Sequence, residues 1–117
     1  MVEMIRRGEV WVANLNPTRG KEVGKIRPVL VMQADLLTEA GADTVVVLPL
    51  TTQLRPGWRT FRVPVSARDR LLVDSYVVVE KPRALDPARI GEGPLTTLTG
   101  EELMSVEQSL RGVLGML

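Results

Sequence analysis

The sequence contains neither cysteine nor histidine. These two absences exclude several kinds of active site, because thiol nucleophiles, Ser-His-Asp triads, paired-histidine nucleases and ordinary zinc clusters need a thiolate or an imidazole. Any catalysis must therefore use carboxylates, hydroxyls, Tyr, Lys or Arg. We expect no metal ion and no cofactor. The lack of cysteine is also compatible with a reducing, cytoplasmic location.

A long hydrophobic run is missing as well. The longest apolar stretch, around residues 45–50, is far too short to span a bilayer, so we predict a cytoplasmic protein that does not bind membranes. The chain has 117 residues, of which 44% are hydrophobic and 25% charged, a balance typical of a globular protein with its own core. We predict one domain over residues 1–117.

The net charge of +1 conceals an uneven distribution of charge along the chain. Residues 1–70 hold eleven basic and seven acidic side chains, whereas residues 71–117 hold four and seven. Twelve of the fifteen cations are Arg, whose planar guanidinium matches the geometry of a phosphate group. The basic first part agrees with binding to nucleic acid and, on charge alone, equally with an ordinary mixed surface.

The hydrophobic pattern predicts a mainly β chain that ends in a helix. β-prone runs between turn residues predict strands at residues 8–15, 27–33, 44–50, 60–65 and 75–80. The fourth strand belongs at an edge, because Pro64 cannot donate to a central ladder. Residues 35–40 fit one short helical turn, and a capping-box pattern at Thr99 and Glu102 starts an amphipathic C-terminal helix. The predicted fold class is α+β, a small barrel or curved antiparallel sheet with one packed helix.

The connection between the first two predicted strands is basic. Residues 16–27 contain one acid, Glu22, and four cations, which are Arg19, Lys21, Lys25 and Arg27. Such a loop can bind phosphate, but it can also be a solvated hairpin loop, and composition alone favours the second interpretation.

Two further groups of side chains are candidates. Thr51 and Thr52 directly follow the third predicted strand, where a hydroxyl can reach a ligand at the end of the sheet, although Thr is also a common strand residue. Trp58 lies near Arg55 and Arg59, a combination that can stack a nucleobase and hold its phosphates. The ring can equally pack over the barrel.

Several short motifs follow one another along the chain: Arg7-Gly8-Glu9-Val10-Trp11, Gly20-Lys21-Glu22, Arg27-Pro28-Val29-Leu30-Val31, Pro49-Leu50-Thr51-Thr52-Gln53, Asp74-Ser75-Tyr76-Val77 and Arg83-Ala84-Leu85-Asp86. Each is weak alone, but their order and spacing resemble the MazF/PemK family of toxin endoribonucleases, the mRNA interferases of type II toxin-antitoxin systems. The resemblance covers nearly the whole chain. Asn14 stands where the family often has Asp, and Lys81-Pro82 where it often has Gln and an aliphatic residue.

The resemblance implies an SH3-like small barrel of the CcdB/PemK/MazF type, a homodimer, and cleavage of single-stranded RNA at short sequence motifs without a metal ion. Arg27 matches the catalytic arginine of the family and Thr51 its catalytic threonine. Glu22 matches an acid of the first loop, and Gln53 lies beside the site, so both are candidates for catalysis or substrate positioning. The implied RNA-binding residues are Arg19, Lys21, Lys25, Thr52, Arg55, Trp58 and Arg59.

The implied mechanism uses the 2′-hydroxyl of the substrate as the nucleophile. Its attack on the adjacent phosphorus leaves a 2′,3′-cyclic phosphate and a 5′-hydroxyl end, and DNA should resist. We favour Arg27 as the group that stabilises the phosphoryl charge, with a hydrogen bond from Thr51. A guanidinium deprotonates only above about pH 12 and is a poor base near neutrality, so the general base stays open.

The family resemblance also implies a cognate antitoxin, whose acidic, disordered segment would bind the basic loops. Two alternatives remain. The fold is similar to that of CcdB toxins, which poison gyrase without catalysis through a Trp near the end of the last helix, whereas this chain ends in Gly115-Met116-Leu117. The other alternative is a barrel that only binds nucleic acid, in which Arg27 and Thr51 would affect affinity alone.

Overall fold

The structure, a computed structural model, describes the backbone of residues 4–117 and their side chains apart from those of residues 58–60. Seven strands and two α-helices follow one another in the order β1 (Glu9–Asn14), β2 (Ile26–Val31), α1 (Asp35–Glu39), β3 (Val45–Thr51), β4 (Arg62–Val65), β5 (Ser75–Val78), β6 (Arg83–Leu85), β7 (Thr96–Thr97) and α2 (Gly100–Val113).

The strands form one curved, antiparallel sheet in the order β4-β5-β3-β2-β1-β7, with β6 paired to β3 outside this path. β3 is the centre of the sheet. One side of β3 pairs with β2, where Val29 lies opposite Pro49. Its other side is shared, because β6 pairs with its first half and β5 with its last two residues. This change of partner bends the sheet into a half-barrel.

Each face of the sheet carries its own hydrophobic cluster. Because side chains alternate along a strand, Leu30 and Leu48 point to the face that α2 covers, where they meet the fully buried Val106. Val29 and Val47 point to the opposite face and pack with Trp11. The connection between β1 and β2 covers part of this second face and contributes Leu15 and Val23. The second face is the one that bears the candidate site.

The structure confirms the predicted α+β fold with a curved antiparallel sheet and a C-terminal helix. All five predicted strands are present, and β4 lies at the edge, as Pro64 requires. The capping box is present: Thr99 N donates to Glu102 Oε1 at 2.8 Å, and Glu102 N donates to Thr99 Oγ1 at 3.1 Å. Trp11 is a core residue, 4% exposed.

Four elements were not predicted. β6 and β7 have three and two residues and no hydrophobic run, so only their pairing with β3 and β1 makes them strands. The segments Pro56–Phe61 and Pro87–Arg89 are 3₁₀ helices, and the first of them includes residues 60 and 61, which were predicted to begin the fourth strand. In the described part of the chain the longest helix is α2, with 14 residues, and none is long and apolar enough to cross a bilayer.

Candidate active site

Arg27 and Thr51 lie at the same end of two neighbouring strands. Val29 of β2 is opposite Pro49 of β3 in an antiparallel register. Arg27 is two residues before Val29, and Thr51 is two residues after Pro49. Because strand side chains alternate with a period of two, both residues lie on the face that carries Val29 and Pro49, at adjoining positions. The register therefore places the two predicted catalytic residues at the same end of this strand pair, each two residues beyond its last paired position.

The Arg27 side chain is half-buried and anchored to the preceding loop. Its Nε donates a hydrogen bond to the carbonyl oxygen of Gly24 at 2.8 Å. A guanidinium has five N–H donors in a rigid fork, and this bond uses one of them. The anchor limits rotation of the side chain, which suits a group that must present its other donors to a phosphate in one orientation.

Thr51 is half-buried at the end of β3 and has its own local contact. Its Oγ1 accepts a hydrogen bond from the backbone N–H of Gln53 at 3.2 Å. Directly opposite, on β5, lies Tyr76. Arg27, Thr51 and Tyr76 thus form a row across three strands on one face. Sequence reasoning did not assign Tyr76, because the alternation in β5 shows which face it occupies but not which residue it faces.

Hydrogen bonds within the first loop, residues 16–25, stabilise its conformation. Glu22 Oε1 accepts from the backbone N–H of Arg19 at 2.6 Å, and Asn16 Oδ1 accepts from that of Lys25 at 3.0 Å. Lys25 has a φ of 70°, in the left-handed region, where the chain turns back into β2. The side chains of Arg19, Lys21, Glu22 and Lys25 are all exposed.

Cations from much later in the chain fasten this first loop to the sheet. Lys81 Nζ donates to the carbonyl oxygen of Lys21 at 2.6 Å, and Arg83 Nη1 donates to that of Leu15 at 2.6 Å. Arg89 Nη1 donates to the carbonyl oxygen of Asn16. Sequence analysis assigned no role to these three cations, since nothing local shows that they meet the loop. They hold the loop that carries Glu22 against the second face of the sheet.

A cleft of about 430 Å³ lies between the first loop and the start of β6. We call it the cationic cleft, and its lining residues are Lys21, Glu22, Val23, Pro49, Lys81, Pro82 and Arg83. Three of these side chains are basic and one is acidic. Pro49 precedes Thr51 by two residues on the same face of β3, so the cleft adjoins the Arg27–Thr51 pair.

The remaining predicted residues follow β3. Thr52, Gln53 and Arg55 are exposed in the short connection between β3 and the 3₁₀ helix. The side chains of Trp58 and Arg59 lie outside the described residues, so their predicted contact with RNA stays a prediction. Within residues 4–117 the structure contains no group of three or more acidic side chains that could hold a metal ion.

An ion pair on the helix side of the sheet shifts the pKa values of both its members. Arg68 donates to both carboxylate oxygens of Glu102, with Nη2–Oε1 at 2.6 Å and Nη1–Oε2 at 2.9 Å. This hydrogen bonding lowers the pKa of Glu102, against the opposing effect of burial, and raises the pKa of Arg68. The pair ties the start of α2 to residue 68, between β4 and β5, and lies away from the Arg27–Thr51 site.

Comparison with known proteins gives one family match. The sequence profile of the family described as PemK-like, MazF-like toxin of type II toxin-antitoxin system matches residues 6–114. The match therefore includes both strand ends of the candidate site, the first loop and the cationic cleft.

The fold is similar to that of several solved toxins. A structure of MazF from Deinococcus radiodurans has a TM-score of 0.85 at 23% identity and covers 98% of this chain and 100% of its own. The toxin MazF-mt6 of Mycobacterium tuberculosis has a TM-score of 0.76 at 20% identity, covering 93% and 98%. A mycobacterial endoribonuclease in complex with its cognate antitoxin has a TM-score of 0.74 at 20% identity, covering 99% and 98%.

Proposed function

Because this chain belongs to the family of PemK-like, MazF-like toxins of type II toxin-antitoxin systems, we propose that it is a toxin endoribonuclease. It cleaves single-stranded RNA, such as mRNA, at short sequence motifs and without a metal ion. The observation that carries this proposal is the position of Arg27 and Thr51, which lie on one face of the sheet at the same end of two neighbouring strands. A guanidinium and a hydroxyl at such a strand end can both donate to the oxygens of one phosphate group.

The proposed reaction is an internal transfer at phosphorus. The substrate's 2′-oxygen bonds to the adjacent phosphorus while the bond to the 5′-oxygen of the next nucleotide breaks. The 2′-hydroxyl loses its proton to a base, and the departing 5′-oxygen gains one. The products are a 2′,3′-cyclic phosphate and a 5′-hydroxyl end. RNA alone has the required nucleophile, so DNA should not react.

Arg27 has the role of stabilising the charge that develops on the phosphoryl oxygens, and Thr51 adds a hydrogen bond. The anchoring of Arg27 Nε to Gly24 supports this role, since a donor that is held in place needs little reorganisation during the reaction. Glu22, in the wall of the adjoining cationic cleft, serves in substrate positioning or proton transfer. Gln53, whose backbone N–H donates to Thr51 Oγ1, is a further candidate for catalysis or substrate positioning.

The proposed partners are a cognate antitoxin and a second copy of the chain. The similar solved structures include MazE-MazF from Deinococcus radiodurans and a mycobacterial endoribonuclease in complex with its cognate antitoxin. In this chain the exposed cations of the first loop, Arg19, Lys21 and Lys25, are suited to an acidic, disordered antitoxin segment. The exposed apolar C-terminus supports a homodimer. The cytoplasm is the expected location, because the proposed substrate occurs there.

The test is incubation of purified protein with a long single-stranded RNA in excess chelator, followed by sequencing of the new ends. We expect cuts at one short motif, with 5′-hydroxyl ends, and no cutting of a DNA copy. Cutting that stops in chelator, or that proceeds equally on DNA, would contradict the proposal. RNA binding without any cleavage would favour a non-catalytic nucleic-acid-binding barrel.

A further inference from the structure

We propose that the cationic cleft is a subsite for one nucleotide that flanks the scissile phosphate, and that Lys81 contacts the phosphate of that nucleotide. This inference rests on the proposed endoribonuclease function and adds to it the place where a neighbouring nucleotide binds. The cleft is the one defined above, with Lys21, Glu22 and Val23 on the first loop, Pro49 on β3, and Lys81, Pro82 and Arg83 at the start of β6.

The position of the cleft fits the next nucleotide of an extended strand. Pro49 lines the cleft, and Thr51 is two residues farther along the same strand on the same face. A strand advances about 3.3 Å per residue, which places the two positions roughly 7 Å apart. An RNA strand that holds its scissile phosphate at Arg27 and Thr51 therefore brings an adjacent nucleotide to the cleft.

The lining has the two kinds of surface that a nucleotide needs. Val23, Pro49 and Pro82 offer apolar surface for the flat face of a base, while Lys21, Lys81 and Arg83 against Glu22 leave an excess of two positive charges for a phosphate. A volume of about 430 Å³ lies within the range of about 300–1,000 Å³ that is usual for small-molecule sites. An isolated phosphate would leave the apolar wall unused.

Among the cations of the cleft, Lys81 is the one placed to contact the phosphate. Its ammonium has three N–H donors, and the bond to the Lys21 carbonyl uses one and fixes the group at the cleft. A cation held in this way loses little further conformational freedom when it binds a ligand. Arg83 differs, because its guanidinium donates to the carbonyl oxygens of Leu15 and Pro17 and so acts on the loop.

The experiment pairs a change in the protein with a change in the RNA. An RNA that contains the cleaved motif, with a 2′-deoxy nucleotide at the scissile position, is made with one phosphate at a time replaced by a neutral methylphosphonate. Fluorescence anisotropy then gives its affinity for the wild-type protein and for Lys81→Met. Arg111→Met is the matched control, because Arg111 is an exposed cation on α2, on the other face of the sheet.

We expect the loss of affinity on neutralising one phosphate, next to the scissile phosphate, to depend on the presence of Lys81. Neutralising it should weaken binding to the wild type and to Arg111→Met by about 10-fold or more, the usual effect of losing a charge-assisted hydrogen bond. The same change should have little effect on Lys81→Met, because the contact is already lost. Lys81→Arg, which keeps the charge, should retain part of the coupling.

Other outcomes separate this inference from the proposed function. If Lys81→Met weakens binding by the same factor at every phosphate, Lys81 acts only by holding the first loop, and the subsite is wrong. If Lys81→Met instead abolishes binding of an acidic peptide and leaves RNA binding unchanged, the cleft belongs to a protein partner and the inference fails. If the phosphate effect depends on Lys81 but cleavage of the unmodified RNA stops in chelator, the subsite stands and the proposed metal-independent function is contradicted.

Discussion

At the scale of single residues, Arg27 is half-buried at a strand end, and its Nε donates to the carbonyl oxygen of Gly24 in the first loop. The register of β2 on β3 places Thr51 on the same face, at the end of the neighbouring strand. We therefore predict that Arg27→Ala reduces the rate of RNA cleavage by about 10²–10³-fold, the usual effect of removing one preorganised donor to an oxyanion. Thr51→Ala should also reduce it strongly.

These rates can be measured under single-turnover conditions on a fluorogenic RNA, with circular dichroism as a check on the fold. Arg111→Ala is the control, because it removes one positive charge from α2, away from the candidate site. A loss of less than tenfold in both Arg27→Ala and Thr51→Ala would show that neither residue has the assigned role.

A second residue-scale prediction concerns Gly93, which packs directly against the buried ring of Trp11. A Cβ at residue 93 would lie 2.4 Å from Trp11 Cδ2, far inside van der Waals contact. Because the ring is in the core and cannot move freely, Gly93→Ala should destabilise the protein by about 1–3 kcal/mol, the usual cost of overpacking. The free energy of unfolding in urea measures this effect.

Gly100→Ala is the matched control for Gly93→Ala. Gly100 is the first residue of α2, and a Cβ there would meet no atom within 4 Å. Since Ala is also the better helix former, Gly100→Ala should leave stability unchanged or raise it slightly. Equal effects of the two substitutions would mean that the contact with Trp11 is not what requires glycine at residue 93.

At the scale of elements, the start of α2 depends on a carboxylate with two functions. Glu102 completes the capping box with Thr99 and accepts two hydrogen bonds from Arg68. The Arg68 guanidinium lowers the pKa of Glu102 in the folded protein below its value in the unfolded chain, which is about 4.3. The carboxylate therefore stabilises the fold fully above that unfolded-state pKa, and this contribution is lost as the pH falls through the lower, folded-state pKa.

We predict that Glu102→Gln lowers stability at pH 7 and flattens its decline in acid. The urea midpoint of the wild type should fall more steeply below pH 4 than that of the variant, because only the wild type has this carboxylate to protonate. Glu101→Gln is the control, since it removes a charge from the same helical turn and leaves the bonds to Arg68 and Thr99 in place. Parallel pH profiles for wild type and Glu102→Gln would contradict the role of the ion pair.

At the scale of the whole molecule, the apolar end of the chain predicts self-association. Leu114, Met116 and Leu117 are 54%, 67% and 92% exposed, and Val113 of the same turn packs on the core. Adjacent exposed apolar side chains favour a partner surface. We expect a homodimer in light scattering at micromolar concentration, and a shift to monomer for the double variant Leu114→Glu, Met116→Glu.

Leu72→Glu is the control for the dimer prediction. Leu72 is 84% exposed between β4 and β5, so its substitution introduces a glutamate at another exposed apolar position, far from the C-terminus in sequence. It should leave the oligomeric state unchanged. If the wild-type protein is a monomer at high micromolar concentration, the dimer prediction is wrong.

A second prediction at this scale concerns how an antitoxin would inhibit RNA binding. The exposed cations of the first loop lie near the proposed RNA path, so an acidic segment that covers them should exclude uncleavable RNA. Titration of the acidic segment into a complex with labelled RNA should release the RNA, and both affinities should fall as salt rises. Simultaneous binding at full affinity would mean that the inhibitor acts elsewhere.

The sequence alone determined those features of this protein that depend on short stretches of chain. The absence of Cys and His limited the chemistry, and the capping box with its helical spacing located α2 to within a few residues. Alternating or continuous apolar runs located five strands. The ordered motifs indicated the family and, through it, Arg27 and Thr51. All of these signals depend on residues close together in sequence, which is why they are readable without a structure.

Only the tertiary structure decided which of these stretches meet. The register of β2 on β3 places Arg27 and Thr51 at the same end of neighbouring strands, and the pairing of β3 with β5 adds Tyr76 opposite Thr51. The bond from Lys81 to Lys21 spans 60 residues of sequence and shapes a cleft that no local pattern indicates. β6 and β7 are strands only because a longer strand lies next to them. Strand pairing joins distant segments through backbone groups that every residue carries, so composition and periodicity contain little record of it.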